Sequence, residues 1–347
     1  MSGLTPRIVD TLLANGGENI RRYFQGPGNA VRDERIWGEK SECNEEKVDK
    51  WIEDFKKKAH GGNLDHQEPW VTLVALYGLF GDQKDLDNRQ HLEAINYLLS
   101  DVFGKRHDKP APPIFDCLVR AHMEVCLPEN LKYRTYVQRE IFKDGPYHLY
   151  RDRKQKLEEK LKREKASFEG NTNLDGLISG KSNGRDVHVF IEAKFLSDIS
   201  KDITYVPVRN QIARNIDCAM WLITKREEKD LDGLKDFWFL LLTPGIFRTE
   251  KYGGPVYSQI RAFVPERSRL FCYKMDDYLY PAFLRKDLPH WNDILKSEHW
   301  DLISSRIGWL TYEDIVSAVK SKGSLTGESL EDFKEFFRER SLTGYGI

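Results

Sequence analysis

The stretch TNLDGLISGKSNGRDVHVFIEAKF, residues 172–195, decides how the rest of the chain is read. Its centre, Asn183-Gly184, is the dipeptide favoured where both residues of a two-residue type I′ connection take positive φ. With those two residues as the loop, Ser182 faces Arg185. Carried back along the two strands, the same register sets Asp175 opposite Glu192. Cross-strand neighbours have Cβ atoms roughly 4.5 to 5.5 Å apart, so two carboxylates would project side by side from one face, near enough to share one divalent ion or a close pair. Lys194, two residues after Glu192, shares that face because side chains alternate along a strand. Like charges directly opposed in a sheet are destabilising, and a bound cation would remove the conflict; so would a bulge or a longer turn that shifts the register.

Around this hairpin the chain has room for one central domain with helical additions, or for two domains, at 347 residues with 40% apolar and 31% charged residues. No basic-then-apolar leader opens it, and its longest mostly apolar run, residues 70–80, falls short of the ~20 residues of a membrane span. A protein that works in the cytoplasm, away from membranes, is expected. The five cysteines (Cys43, Cys117, Cys126, Cys218, Cys272) are scattered and form no C-x-x-C pair, so neither a disulfide framework nor a structural zinc site is indicated. The net charge of −1 hides a basic segment, residues 132–165, in which twelve Lys or Arg stand against six acids. Phosphate neutralisation and a solvated helix face both account for it.

Residues 1–110 read as helical. The clearest helix runs over residues 87–103, with Leu92, Ile95, Leu98, Leu99, Val102 and Phe103 at helical spacing and Asp87 with Gln90 as a capping box. The proline-rich connector at 104–113 marks a boundary. The central unit, 111–285, then runs in order: a helix over 114–127, with Ile114, Leu118, Ala121 and Val125 along one side; a strand over 131–142; the two hairpin strands; a short helix at VRNQIARNID opened by Pro207; and two apolar strands, CAMWLIT at 218–224 and FWFLLLT at 237–243. Such an order fits an α/β mixed sheet flanked by helices. From Pro281 onward the pattern is helical, with amphipathic segments at 311–319 and 329–337 expected to pack on the core, so 286–347 reads as a helical C-terminal region.

In element order and motif this resembles the PD-(D/E)XK nuclease superfamily, with its αβββαβ restriction-endonuclease-like core. Glu192-Ala193-Lys194 matches the E-x-K of the third strand, and Asp175 the acid of the second, over residues 114–245. Leu174 stands where the family name has proline. The resemblance implies that Asp175 and Glu192, with the carbonyl of Ala193, bind Mg²⁺, with Mn²⁺ able to substitute, and that Lys194 orients or helps deprotonate the attacking water. Glu124 resembles the extra helix glutamate that many members add to the metal site. Gln211, with Arg214 a turn later, resembles the glutamine-centred motif some members place beside it. A plain polar helix face accounts for these three positions equally well.

The implied activity is metal-dependent hydrolysis of phosphodiester bonds in DNA, in restriction, defence or DNA processing, with a homodimer matching the two-fold symmetry of a duplex. Two other readings stay open. One is a nuclease-like module that binds nucleic acid or protein without cutting; the other is a sugar hydrolase, since retaining glycosidases use acids about 5 to 5.5 Å apart. There is no histidine ligand cluster for zinc, no phosphate-binding G-x-x-x-x-G-K-[ST] loop for a nucleotide cofactor and no serine nucleophile elbow. Candidate base-reading side chains, such as Arg209, Arg214, Lys225 and Arg226, are too many to rank.

Overall fold

The computed structural model describes residues 7–24, 45–60, 68–84, 88–104, 113–126, 173–194, 211–224, 230–245, 280–323 and 325–340. In chain order the elements are α1 (Arg7–Phe24), α2 (Glu45–His60), α3 (Glu68–Phe80), α4 (Arg89–Gly104), β1 (Cys117–Cys126), β2 (Asn173–Ser182), β3 (Arg185–Ala193), α5 (Gln211–Ile223), β4 (Phe237–Thr243), α6 (Pro281–Asp287), α7 (Ser297–Ser305), β5 (Ile307–Thr311), α8 (Tyr312–Lys322) and α9 (Gly327–Arg340). Short 3-10 turns at Leu231–Asp236 and Pro289–Trp291 precede β4 and follow α6. Among the described residues no helix is long and apolar enough to cross a membrane.

The hairpin forms as its turn chemistry requires. Asn183 and Gly184 take φ of 52° and 75°, and Ser182 faces Arg185. The register then holds without interruption to Gly176 opposite Ile191. Five strands build one open mixed sheet in the order β1-β2-β3-β4-β5. The first two pairings are antiparallel and the last two parallel. Parallel neighbours cannot be joined by a tight turn, and α5 lies in the connection between β3 and β4. This is an α/β architecture with helices on both faces.

Strand alternation sorts the core into two clusters. Val187, Val189, Ile191 and Ala193 of β3 pack with α1 to α4, α8 and α9, whereas Phe190 joins α5, α6 and α7 on the other face. Gly78 of α3 admits the Phe333 ring, which a Cβ there would meet at 2.3 Å.

Several expectations are corrected. Residues 114–127 are not a helix: β1 pairs with β2 from Cys117 opposite Lys181 to Cys126 opposite Asn173. The apolar residues Val119, Ala121, Met123 and Val125 recur at every second position and are buried, as is His122 on the other face. The helical spacing of Ile114, Leu118, Ala121 and Val125 is fortuitous, since within β1 the apolar positions 119, 121, 123 and 125 follow a two-residue period. Gln83 closes the edge of this strand, its side-chain amide donating to Ala121 O at 3.0 Å and its carbonyl accepting from Ala121 N at 2.8 Å.

CAMWLIT is not a strand either, since α5 runs on to Ile223. All positions from Asn215 to Ile223 are buried, so the polar face that would betray a helical period is missing. By contrast FWFLLLT forms β4 as expected. Asn88 caps α4, its Oδ1 accepting from Gln90 N at 2.9 Å and His91 N at 3.4 Å, while Asp87 of the expected capping box lies outside the described residues. The helical pattern after Pro281 is interrupted by β5, which adds a parallel edge to the sheet. Thr311 ends that strand and caps α8, accepting from Asp314 N at 3.0 Å while Asp314 Oδ2 accepts from Thr311 N at 3.0 Å. The expected strand at 131–142, the basic segment 132–165, Pro207, Arg209, Lys225 and Arg226 lie outside the described residues.

Candidate active site: three carboxylates around Lys194

Asp175 is the third residue of β2, and Glu192 and Ala193 end β3, so the hairpin delivers all three to the same end of the sheet. Past the Gly176–Ile191 pair the Asp175 carboxylate itself enters the ladder. Its Oδ2 accepts the amide of Ala193 at 2.7 Å. The Lys194 amide is held on the opposite side, donating to Leu242 O of β4 at 2.8 Å. Thus the backbone on both sides of the E-x-K segment is fixed, and the Lys194 side chain has one direction to take.

Its ammonium lies 2.9 Å from Glu192 Oε1, 2.8 Å from Glu68 Oε1 and 3.9 Å from Asp175 Oδ2. Glu192 is fully buried and Lys194 is 7% exposed. The side chains of Asp175 and Glu68, each 18% exposed, form the solvent-facing part of the cluster. From the α5 face Asn215 donates its Nδ2 to Glu192 Oε2 at 2.6 Å. The structure therefore brings Asp175, Glu192 and Lys194 together and adds Glu68 and Asn215, which sequence reasoning missed.

Glu68 is the first residue of α3, where an acid is favoured by the amide dipoles and followed here by Pro69, which suits an opening turn. That signal locates a helix start but does not connect it with Lys194, 126 positions further on. Thr72, one turn into α3, donates to Glu68 O at 2.8 Å and shares a hydrogen bond with the Tyr312 hydroxyl at 3.1 Å. Through that contact α8 braces the opening turn of α3.

The expectation that Glu124 is a helix glutamate is overturned, because it belongs to β1. The pairs Met123–Gly176 and Val125–Leu174 bracket it level with Asp175. The acid that a helix supplies to the cluster is Glu68. Gln211 and Arg214 do lie on α5, at its start, but the contact to the acids comes from Asn215. Ala193 contributes its amide to Asp175, and its methyl group packs in the cluster on the α1–α4 side. Two residues beyond Asn215, buried Asp217 accepts from Trp291 Nε1 at 2.6 Å and pairs with His290 Nε2 at 2.9 Å, anchoring α5 to the segment after α6.

Burial sets the electrostatics. It pushes the Asp175 carboxyl up to about 6, against the pull of Lys194. Burial, and then the neighbouring Asp175 charge, lift Glu192 to about 8. Lys194 is held above its ordinary value, since Glu192, Asp175 and Glu68 together outweigh the opposing effect of burial. These groups are one electrostatic unit in which an ammonium balances acids that are reluctant to ionise.

Among the described residues no group of three or more His, Cys, Asp and Glu side chains is arranged to hold a metal ion. The cation at the centre of the cluster is the ammonium of Lys194. Glu192 Oε1 is nonetheless a buried acceptor with no hydrogen-bond donor aligned on it, so its 2.9 Å contact with Nζ is an ion pair with poor hydrogen-bond geometry. A buried carboxyl oxygen left in that state beside a second carboxylate is the kind of hard oxygen donor that suits a small divalent cation. No protein-family model, no curated protein and no solved structure matches the chain.

Proposed function

We propose that this protein is a metal-dependent nuclease that hydrolyses phosphodiester bonds in DNA, built on a PD-(D/E)XK, restriction-endonuclease-like core. One observation carries the reading: acids from a hairpin and a flanking helix converge on the lysine of an E-x-K segment at one end of a mixed sheet. Helices flank that sheet on both faces, and α5 joins β3 to β4. Open α/β sheets place their ligands at the carboxyl ends of parallel strands. Glu192 and Lys194 stand at that end of β3, level with Leu242 of β4.

In this reading Asp175 and Glu192, with the carbonyl of Ala193, hold Mg²⁺, and Mn²⁺ can replace it. A bound divalent ion supplies an activated water and neutralises charge on the phosphoryl oxygens. The protein's own groups do the positioning. Lys194, held above its ordinary pKa by the acids, stays protonated at neutral pH. It therefore orients the water or a phosphoryl oxygen by donating a hydrogen bond, and stabilises negative charge as it develops. Glu68 fixes the ammonium from the helix side, and Asn215 fixes the Glu192 carboxylate from α5. Both are positioning residues. A two-fold dimer acting on duplex DNA, in restriction, defence or DNA processing, completes the proposal.

Full burial of Glu192 favours a second reading, a nuclease-like module that binds without cutting. One assay separates the two. Purified protein is incubated with plasmid and with single-stranded DNA in Mg²⁺ or Mn²⁺, beside Asp175→Asn and Lys194→Met. Cleavage that disappears with chelator and in both variants supports the nuclease. Binding with no cleavage under any metal supports the module, and cleavage untouched by both substitutions sinks the proposed site.

A further inference from the structure

Away from the acidic cluster, a cleft of about 510 Å³ opens between α6 and α7, lined by Arg285, Lys286, Asn292, Leu295, Ser297 and Trp300 among others. Its lining carries two cations and no acid. Several cations elsewhere in the fold are matched, Arg185 with Asp232 and Asp236, Lys181 with Asp186, and Lys235 with Asp232, while others such as Arg306 and Lys320 form no ion pair among the described residues. Among the described residues Arg285 and Lys286 have no carboxylate partner.

Arg285 is nevertheless held in place. Its Nη2 donates to Ser297 Oγ at 3.0 Å, and its guanidinium carbon stands 6.0 Å from the centre of the Trp300 ring, which is 1% exposed. The walls are rigid too. Leu284, Leu288 and Trp291 are fully buried, and His290 and Trp291 are pinned to Asp217 of α5, the helix that carries Asn215. A fixed, unpaired guanidinium beside a lysine and amide and hydroxyl groups is suited to an oxyanion.

The exposed surface of α6 beside the cleft narrows the class of ligand. Tyr280 and Phe283 are 63% and 45% exposed, two of the three large exposed hydrophobics among the described residues, with ring centres 6.4 Å apart. Phe283 stands one turn before Lys286 on α6, so ring and cation are neighbours. Exposed aromatic faces beside phosphate-binding cations are the combination that holds single-stranded nucleic acid, the rings stacking on bases and the cations tracking the backbone.

We propose that the α6–α7 cleft is a second nucleic-acid site, in which Arg285 and Lys286 grip a backbone phosphate and Tyr280 and Phe283 stack on the adjoining bases. The proposal rests on the nucleic-acid reading above only for its choice of a strand over another phosphate ester. Its occupant is a single strand, because the rings lie outside the cavity, where a lone phosphate would not reach them.

Binding measured in chelator tests it independently of cleavage. A labelled single-stranded DNA of about 12 nucleotides is titrated with the full chain by fluorescence anisotropy. The wild type is compared with Arg285→Ala, Lys286→Glu, a Tyr280→Ala/Phe283→Ala double variant and Lys320→Glu, a matched charge change on α8. Arg285→Ala and Lys286→Glu are expected to weaken binding about tenfold and to flatten its salt dependence, each phosphate contact contributing roughly 0.7 to the logarithmic slope. The double aromatic variant should weaken it about five- to a hundredfold, and Lys320→Glu should bind as wild type. Lys286 is exposed, so its variant reports even if Arg285→Ala does not fold.

Wild-type affinity in Lys286→Glu, or equal losses in Lys286→Glu and Lys320→Glu, overturns the cleft. Displacement by inorganic phosphate with no effect of the aromatic variant reduces the cleft to a small-anion site and overturns the strand. A protein that binds through these residues yet never cuts loses the proposed reaction and keeps the cleft. One that cuts with Lys286 irrelevant to binding does the reverse.

Discussion

Glu68 and Lys194, 126 positions apart, form a 2.8 Å hydrogen-bonded ion pair that ties the first turn of α3 to the end of β3. The helix that delivers Glu68 is otherwise buried throughout, from Trp70 to Phe80, so its polar first turn is where it can meet the site. Glu68→Gln keeps the shape and removes the charge. The fold should survive, since this side chain is partly exposed. Cleavage should fall about ten- to a hundredfold through loss of positioning, with KM for DNA little changed. A drop in KM alone, with kcat intact, would place Glu68 outside the site.

Lys194 is the cation on which the buried acids depend. In Lys194→Met those acids lose their counter-charge, and breaking a buried pair from one side costs about 3–5 kcal/mol. The cost should be largest near pH 8, where ionisation is forced, and smaller near pH 5, where Asp175 and Glu192 take up protons. Urea unfolding at both pH values measures it. Equal losses at the two would mean that packing, not charge, is what Lys194 supplies.

How far the sequence disclosed these relationships depended on whether each signal was local. Asn183-Gly184 fixed a register because a two-residue turn admits one pairing, and that brought Asp175 and Glu192 to the same end of the sheet. The run FWFLLLT is a buried strand as read, but CAMWLIT, equally short and apolar, is helix, so such a run does not decide between the two by itself. Val119 to Val125 keep a two-residue period, while Ala121 and Val125 also stand at helical spacing from Ile114 and Leu118, so the local pattern admits both elements. α5 lost its period altogether, as burial on every side from Asn215 onward erased the polar face. Glu68 and Asn215 were invisible for another reason: each is ordinary in its own helix and acquires meaning only from a carboxylate or ammonium brought to it by the tertiary fold.

The wild type should itself report the strained carboxylates. Both folded pKa values, about 6 for Asp175 and about 8 for Glu192, lie above the unfolded reference values of 3.8 and 4.5. Between those limits the folded state binds more protons than the unfolded one, so stability falls as pH rises from about 4 to 8. Lys194, raised from 10.5, adds no slope in that window. In chelator the melting temperature should decline from pH 5 to pH 8. Glu192→Gln should lessen the decline and melt about 2–4 °C higher than wild type at pH 8. A wild-type melting temperature that climbs over this range would contradict the burial argument.

Magnesium should act in the opposite sense. A ligand that binds only the folded state stabilises it by about 2.7 kcal/mol when present at a hundred times its Kd. Protons compete for the same carboxylates, so the stabilisation should be larger at pH 8 than at pH 5.5. It should vanish in Asp175→Asn and in Glu192→Gln. Calorimetric titration of the wild type at the two pH values, with Ca²⁺ in place of Mg²⁺ to prevent turnover, checks the proton linkage directly. Stabilisation that persists in both variants would locate the ion elsewhere.

The turn offers a separation of stability from chemistry. Gly184 holds φ at 75° with open space where a Cβ would stand, so Gly184→Ala meets no clash and pays only for a left-handed backbone, about 1 kcal/mol. The register does not depend on the turn alone. A one-residue slip would carry Val187, Val189 and Ile191 from one face of the sheet to the other and bring Phe190 to the wrong side. Gly184→Ala is therefore expected to melt a few degrees lower, about 2–4 °C, with kcat and metal dependence at wild-type values below the transition. The Asp116 carboxylate, which accepts from Asn183 N at 2.6 Å, still ties the hairpin tip to the residue before β1. Loss of cleavage in a folded Gly184→Ala protein would show that the tip, and not the apolar alternation, sets where Asp175 meets Glu192.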